Sequence, residues 1–278
     1  MSISTKESKF VLLERHKGYA VIRLNRPERK NGIVQEMEIA LSYYLDTLAN
    51  DDTIKLVVIT GTGEYYTSGA DIIGSFGSDE RSSEKNDVEK IRKRLEPFKN
   101  LVNSFIRFPK PIIAAVNGPA IGMGVTTLPL CDVVYAAADS TFMTPFSKIA
   151  MIPEACSSYT FPIIMGYSMA NEMLLFNRKI TAEEAYRFGL ISRIFPKETF
   201  MTEVEKKVEE FLDNPAKCLE FGKKLIRDRD REKLHKINEE EVEQLVERLQ
   251  SEDTVTQAIK FLEERQRIKR ERARKARL

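Results

Sequence analysis

Residues 111–131 (PIIAAVNGPAIGMGVTTLPLC) run for 21 positions without a charge, the length of a membrane-crossing helix. They do not read as one helix. Pro111, Pro119 and Pro129 remove backbone donors, and Gly118, Gly122 and Gly124 interrupt what is left. The stretch therefore divides into a buried strand, a tight turn and a short buried helix, and no membrane span is expected. Such a segment needs a large core around it. A chain of 278 residues with 42% apolar content can supply one.

The flanking sequence shows what that core is made of. KFVLLE (9–14) and YAVIRL (18–24), separated by Lys17-Gly18, predict an antiparallel pair of strands. Met37, Leu41, Tyr44, Leu45 and Leu48 recur at helical spacing and predict a helix over 34–49. IKLVVITG (54–61), PIIAAV (111–116) and CDVVYAA (131–137) read as strands buried on both faces. After the polar run 78–90, Ile91, Leu95, Phe98, Leu101, Val102 and Phe105 predict another helix. Strands alternating with helices indicate an α/β core. From Thr202 the pattern is helical, in segments near 202–213, 215–228, 232–250 and 252–270, with Asn214-Pro215 at one boundary. The expected organisation is a core over 1–200, a helical subdomain of the same structural unit over 201–270, and a basic tail over 271–278.

Several chemistries are excluded by what is missing. There is no GxxxxGK[ST] phosphate loop and no GxSxG elbow. Gly61-Thr62-Gly63 follows a strand, but Tyr66 occupies the third glycine position of a dinucleotide fingerprint. Cys131, Cys156 and Cys218 are too far apart for a metal-ligand motif and too few for a disulfide framework, and Cys131 reads as a core thiol. His16 and His235 lie among charged residues and read as surface groups. The net charge of +2 conceals a tail, 265–278, that carries +7, so the remaining 264 residues carry −5. That tail has no interleaved aromatics, and nucleic-acid binding is not expected of it. Lys6, Glu7 and Lys9 argue against a secretory signal, and Glu7 with Glu14 against a mitochondrial presequence.

Three features remain. Ser68-Gly69-Ala70-Asp71 and Asn117–Gly124 are glycine loops that each follow a buried strand. They are either tight turns or a pair of loops that each offer a backbone N–H to a negative charge. Glu154 is the one charged residue in the stretch 149–167. Burial would disfavour its ionised form and suit it to act as a base near neutral pH. It can equally be a first-turn helix glutamate with Pro153 at the helix start, and both readings can hold together.

SGAD (68–71), NGPAIGMG (117–124), CDVVYAAADSTFMTPF (131–146) and IPEACSSYTFP (152–162), in that order, resemble the crotonase (enoyl-CoA hydratase/isomerase) superfamily. The similarity runs from about Phe10 to Ile194 and continues through AEEAYRFGLISRIFP (182–196). The resemblance implies an α/β spiral of ββα turns with a C-terminal helical subdomain, assembled as trimers or dimers of trimers. It implies acyl-CoA thioester substrates, with coenzyme A part of the substrate, no separate cofactor and no metal. The family's two oxyanion N–H groups fall on Ala70 and Met123. The family's hydratase glutamates fall on Thr126 and Phe146, neither an acid, while an acid stands at Glu154. That pattern looks like the peroxisomal-type Δ3,Δ2-enoyl-CoA isomerases, which convert cis- or trans-3-enoyl-CoA to trans-2-enoyl-CoA in unsaturated fatty-acid β-oxidation. Glu154 would then carry a proton from C2 to C4 through a dienolate.

By the same resemblance, Ser68, Gly69, Ala70, Asp71, Ile72, Gly122 and Met123 bind the CoA thioester. Arg29 and Lys30 either meet its phosphate or form a solvated basic turn. Phe146, Ile149, Met151 and Phe161 are the expected acyl pocket. Ala276-Arg277-Leu278 resembles the small-basic-leucine peroxisomal address, which predicts a peroxisomal import receptor as partner and the peroxisomal matrix, in preference to the mitochondrion, as location. The alternatives are another crotonase-type acyl-CoA enzyme such as a hydratase, or a non-catalytic member that binds acyl-CoA or nucleic acid.

Overall fold

The computed structural model describes residues 8–71 and 88–251, together with 254, 256, 257, 260, 263 and 267. Ile72, the polar run 78–87 and the tail 271–278 with Ala276, Arg277 and Leu278 lie outside the described residues.

The strands form two sheets. The larger contains β1 (Val11–Arg15), β2 (Gly18–Leu24), β3 (Ile54–Gly61), β4 (Ile112–Val116), β6 (Val133–Ala137) and β9 (Arg193–Phe195), in that order. Only the β1–β2 pair is antiparallel, as the Lys17-Gly18 turn requires. The smaller sheet is β5 (Ala120–Ile121), β7 (Thr141–Met143) and β8 (Ile180–Thr181). Isolated parallel bridges, Ile33 with Ala70 and Thr67 with Ala120, continue this second layer. Each pass of the chain thus adds a strand to the large sheet and a shorter strand or bridge to the second. That repetition is the ββα spiral.

Helices cover the sheets. α1 (Gln35–Ala49) buries Met37, Ala40, Leu41, Tyr44, Leu45 and Leu48. α2 (Val88–Arg107) buries Phe98, Leu101, Val102, Phe105 and Ile106, and Pro97 is accommodated inside it. α3 (Met123–Thr126) is one buried turn, followed by α4 (Ser157–Leu174), α5 (Ala182–Arg187), α6 (Phe200–Leu212) and α7 (Ala216–Gln250). The largest core cluster joins α1 and α2 to Val57, Ile59, Ile112 and Ala114 of the sheet, and to Leu234, Val242 and Leu245 of α7. A second cluster places Phe200, Val204 and Val208 of α6 against Val21, Leu56, Val58 and Ile113 on the opposite face. β3 and β4 are buried on both sides for this reason.

Two expectations are corrected. The helical break near 228–232 is absent, and α7 continues unbroken through it. RDRDREK holds neither Gly nor Pro, and Arg231 pairs with Asp228 one turn away at 2.9 Å. Pro153 does not start α4. The helix begins at Ser157, because Ala155 and Cys156 both take left-handed backbone angles (φ 54° and 63°) and turn the chain just before it. Among the described residues, no helix is long and apolar enough to cross a membrane.

Candidate active site

The two glycine loops leave the ends of neighbouring parallel strands, β3 and β4, and meet. Gly69 has φ +78°, and a Cβ there would lie 2.7 Å from the Ile121 carbonyl oxygen. Gly122 has φ +54°, and a Cβ there would stand 4.0 Å from the Gly69 Cα. Both positions need glycine for conformation, and Gly69 needs it also for space. Side chains fix each loop from behind. Asn31, fully buried, donates to the carbonyls of Thr62 at 2.9 Å and Tyr65 at 2.7 Å and accepts from Arg26 N–H at 2.9 Å. Asn117 accepts from Gly61 N–H at 3.0 Å and donates to the Gly63 carbonyl at 2.8 Å. Thr67 Oγ1 accepts from Gly69 N–H at 3.0 Å, and the Gly122 N–H is taken by the Met143 carbonyl at 2.9 Å. The N–H groups of Ala70 and Met123 have no acceptor among the described residues. Met123 opens α3, where an N–H has no intrahelical partner.

A cavity of about 180 Å³ lies against these loops. Its wall includes Ser68, Gly69, Ala70, Gly122 and Met123 on the loop side and Phe98, Phe146, Ile149, Met151 and Leu245 on the apolar side. Two acids, Glu154 and Glu38, share that wall. Burial, then the charges of Glu241 and Glu38, push the Glu154 carboxyl up to about 8. Its carboxyl makes no hydrogen bond among the described residues, so nothing there offsets the desolvation. Burial raises Glu38 to about 7, a shift that Arg94 opposes.

The residues singled out in the sequence are distributed unevenly about this cavity. Phe146, Ile149 and Met151 line it, but Phe161 does not. Phe161 is fully buried in the main core, on the inner face of α4, and is removed from the acyl-pocket set. Asp71 pairs with Arg26 at 2.6 Å, which ties the end of the first loop to the turn after β2. Arg29 and Lys30 are exposed in that turn. They touch the loop through their carbonyls, which accept from Ser68, while Lys30 Nζ lies 4.6 Å from the Tyr65 ring centre. Neither side chain lines the cavity. Thr126, in α3, is fully buried, outside the cavity wall. His16 is exposed, whereas His235 is half-buried and bonds Asn103 at 2.8 Å. Burial pushes the Cys131 thiol up to about 12, as a core thiol should be.

Glu38 and Glu241 were not identified from the sequence. Glu38 left a signal: at 34, 38, 41, 45 it interrupts the apolar stripe of its helix. Glu241 left none, since it lies in a run of acids on a long charged helix.

The chain belongs to the enoyl-CoA hydratase/isomerase family. The family's sequence profile matches residues 14–270. The chain is 43% identical to enoyl-CoA delta isomerase 2 of Rattus norvegicus over 257 residues, which are 92% of this chain and 64% of that protein. It is 40% identical over 257 residues to the peroxisomal enoyl-CoA delta isomerase 3 of Mus musculus, covering 92% of this chain and 79% of that one. The chain therefore spans a little under two thirds of the rat relative's length. Among solved structures, an enoyl-CoA hydratase/isomerase from Pseudoalteromonas atlantica superposes with a TM-score of 0.83 at 29% identity, over 92% of this chain and 98% of that one.

Proposed function

We propose that the protein is a Δ3,Δ2-enoyl-CoA isomerase in which Glu154 is the proton carrier. The observation that carries this reading is the pairing, across one cavity, of a half-buried acid that makes no hydrogen bond among the described residues with two unbonded backbone N–H groups. The C2 hydrogens of a 3-enoyl thioester are acidified by the carbonyl on one side and the alkene on the other. The ionised Glu154 removes one, and the C–H electron pair passes into a dienolate whose charge concentrates on the thioester oxygen. The N–H groups of Ala70 and Met123 donate to that oxygen, each worth on the order of 3 kcal/mol in comparable sites. The proton on Glu154 is then returned at C4, which leaves a 2-enoyl thioester and restores the carboxylate. Water is neither added nor lost. The aromatic and aliphatic wall formed by Phe98, Phe146, Ile149 and Met151 suits an acyl chain.

Assembly and location belong to the same proposal. On α7, Phe221, Leu225 and Ile226 are 64%, 77% and 74% exposed, an apolar face that suits packing against another copy in a trimer. The Ala276-Arg277-Leu278 tripeptide, and the peroxisomal name of the mouse relative, support a peroxisomal address. Deleting 276–278 should leave a fluorescently tagged protein in the cytosol, and unchanged import would remove this part. The activity is tested by incubating the protein with a 3-enoyl-CoA and following the conjugated 2-enoyl-CoA. Conversion without a 3-hydroxyacyl-CoA is expected, as is its loss in Glu154→Gln. A 3-hydroxyacyl product would instead identify a hydratase.

A further inference from the structure

Glu241 is 7% exposed in the middle of α7, where an acid is disfavoured unless it is bonded. No Lys or Arg pairs with it among the described residues. Its bonds all go to one short segment. It accepts from Cys156 N–H at 2.6 Å, from Ser158 N–H at 3.1 Å and from Ser158 Oγ–H at 2.5 Å. The Cys156 thiol adds a fourth tie to α7, donating to the Leu234 carbonyl at 3.3 Å. These contacts hold the segment that contains two successive left-handed, non-glycine residues, Ala155 and Cys156, directly after Glu154. That conformation is costly for residues with a Cβ and persists only where the surroundings enforce it. If the two relaxed to right-handed angles, α4 would extend backwards from Ser157 and carry the Glu154 side chain away from the cavity.

We infer that Glu241 is a positioning residue for this reaction: a carboxylate latch from α7 that enforces the strained 155–156 turn and so aims Glu154 at the substrate. This rests on Glu154 being the base. Its negative charge, second only to burial among the causes, also keeps Glu154 from ionising early.

The test uses the full chain and compares Glu154→Gln, Glu241→Gln and Ser158→Ala with wild type. The amide nitrogen of Gln cannot accept the N–H bonds that a carboxylate oxygen accepts. For Glu241→Gln, kcat on the high-pH plateau, where Glu154 is ionised with or without the Glu241 charge, should fall on the order of tenfold to a hundredfold, the size expected from a misplacement of about 1 Å. KM, and the affinity for a non-reactive saturated acyl-CoA, should stay within twofold. Ser158→Ala leaves the charge and removes one bond, so kcat should fall in the same direction by less. Adding Ala155→Gly to Glu241→Gln relieves the left-handed penalty and should recover part of the lost kcat. Wild-type kcat in both Glu241→Gln and Ser158→Ala, beside an inactive Glu154→Gln, would overturn the latch and leave the base standing. An active Glu154→Gln would overturn the base itself. Should Glu241→Gln fail to fold, Ser158→Ala decides: unchanged kcat overturns the latch.

Discussion

The carboxyl of Glu154 must be ionised to take a proton, and folding raises it from 4.5 to about 8. At pH 7 about one tenth of the molecules then carry the active base, and kcat/KM should climb about tenfold per pH unit before levelling above about 8. The charged groups acting on it are the carboxyls of Glu38 and Glu241, and Glu241 in turn acts on the Cys156 thiol. Arg94 acts on Glu38, and Cys156 is itself held protonated by burial and by Glu241. Glu38→Gln removes one of the charges that oppose ionisation. The acid limb should move to lower pH and kcat/KM at pH 7 should rise, while the plateau stays within a few-fold. The measurement is the initial rate of 2-enoyl-CoA formation from pH 5 to 9.5 for wild type and Glu38→Gln. Stability gives an independent check. The folded protein holds a proton that the unfolded chain releases above about 4.5. This contribution is complete below pH 4.5 and is lost as pH rises through about 8, at no more than about 1.4 kcal/mol per unit and less where cavity water screens the charge. Glu154→Gln should remove this share of the slope in urea titrations and leave the share that Glu38 and Glu241 contribute. A wild-type limb near pH 4.5, or one that Glu38→Gln does not move, would refute the reasoning.

Three further outcomes follow from the geometry. Gly69→Ala puts a methyl 2.7 Å from the Ile121 carbonyl oxygen at a positive φ, so the loops must part. Initial rates should fall about a hundredfold to a thousandfold, the cost of a lost oxyanion donor. Phe161→Ala should lower stability by about 3–5 kcal/mol in chemical denaturation, with KM unchanged, because the ring fills the core and not the cavity. Leu225→Asp charges an apolar face that is exposed among the described residues. Light scattering should then report a smaller particle at unchanged helical content.

How much of this was legible in the sequence depended on the distance over which the information acts. β3 and β4 announce themselves because each is an unbroken apolar run between turns, and the ends of both fell within a residue or two of the prediction. The glycine loops and Glu154 stand out because each contrasts with its immediate neighbours. Phe161 was misassigned for the same local reason: it stands seven residues from the acid, yet α4 turns it inward. Glu241 is 85 residues from Cys156, and no local pattern reveals that pairing. The continuity of α7 was missed because charge on every side resembles a loop until its one-turn ion pairs are seen.

The meeting of Gly69 and Gly122 has a consequence for how such a protein can diversify. Backbone rests on backbone there, with no side chain between. The interval between the Ala70 and Met123 N–H groups is therefore set by atomic radii common to all peptides, and not by the packing of any particular residue. Phe98, Phe146, Ile149, Met151 or Leu245 can be exchanged to admit an acyl chain of another length or shape without disturbing that interval. Chemistry and substrate choice are thus separately heritable on this scaffold: a change in the wall alters what is bound, and the anion site passes to the descendant intact.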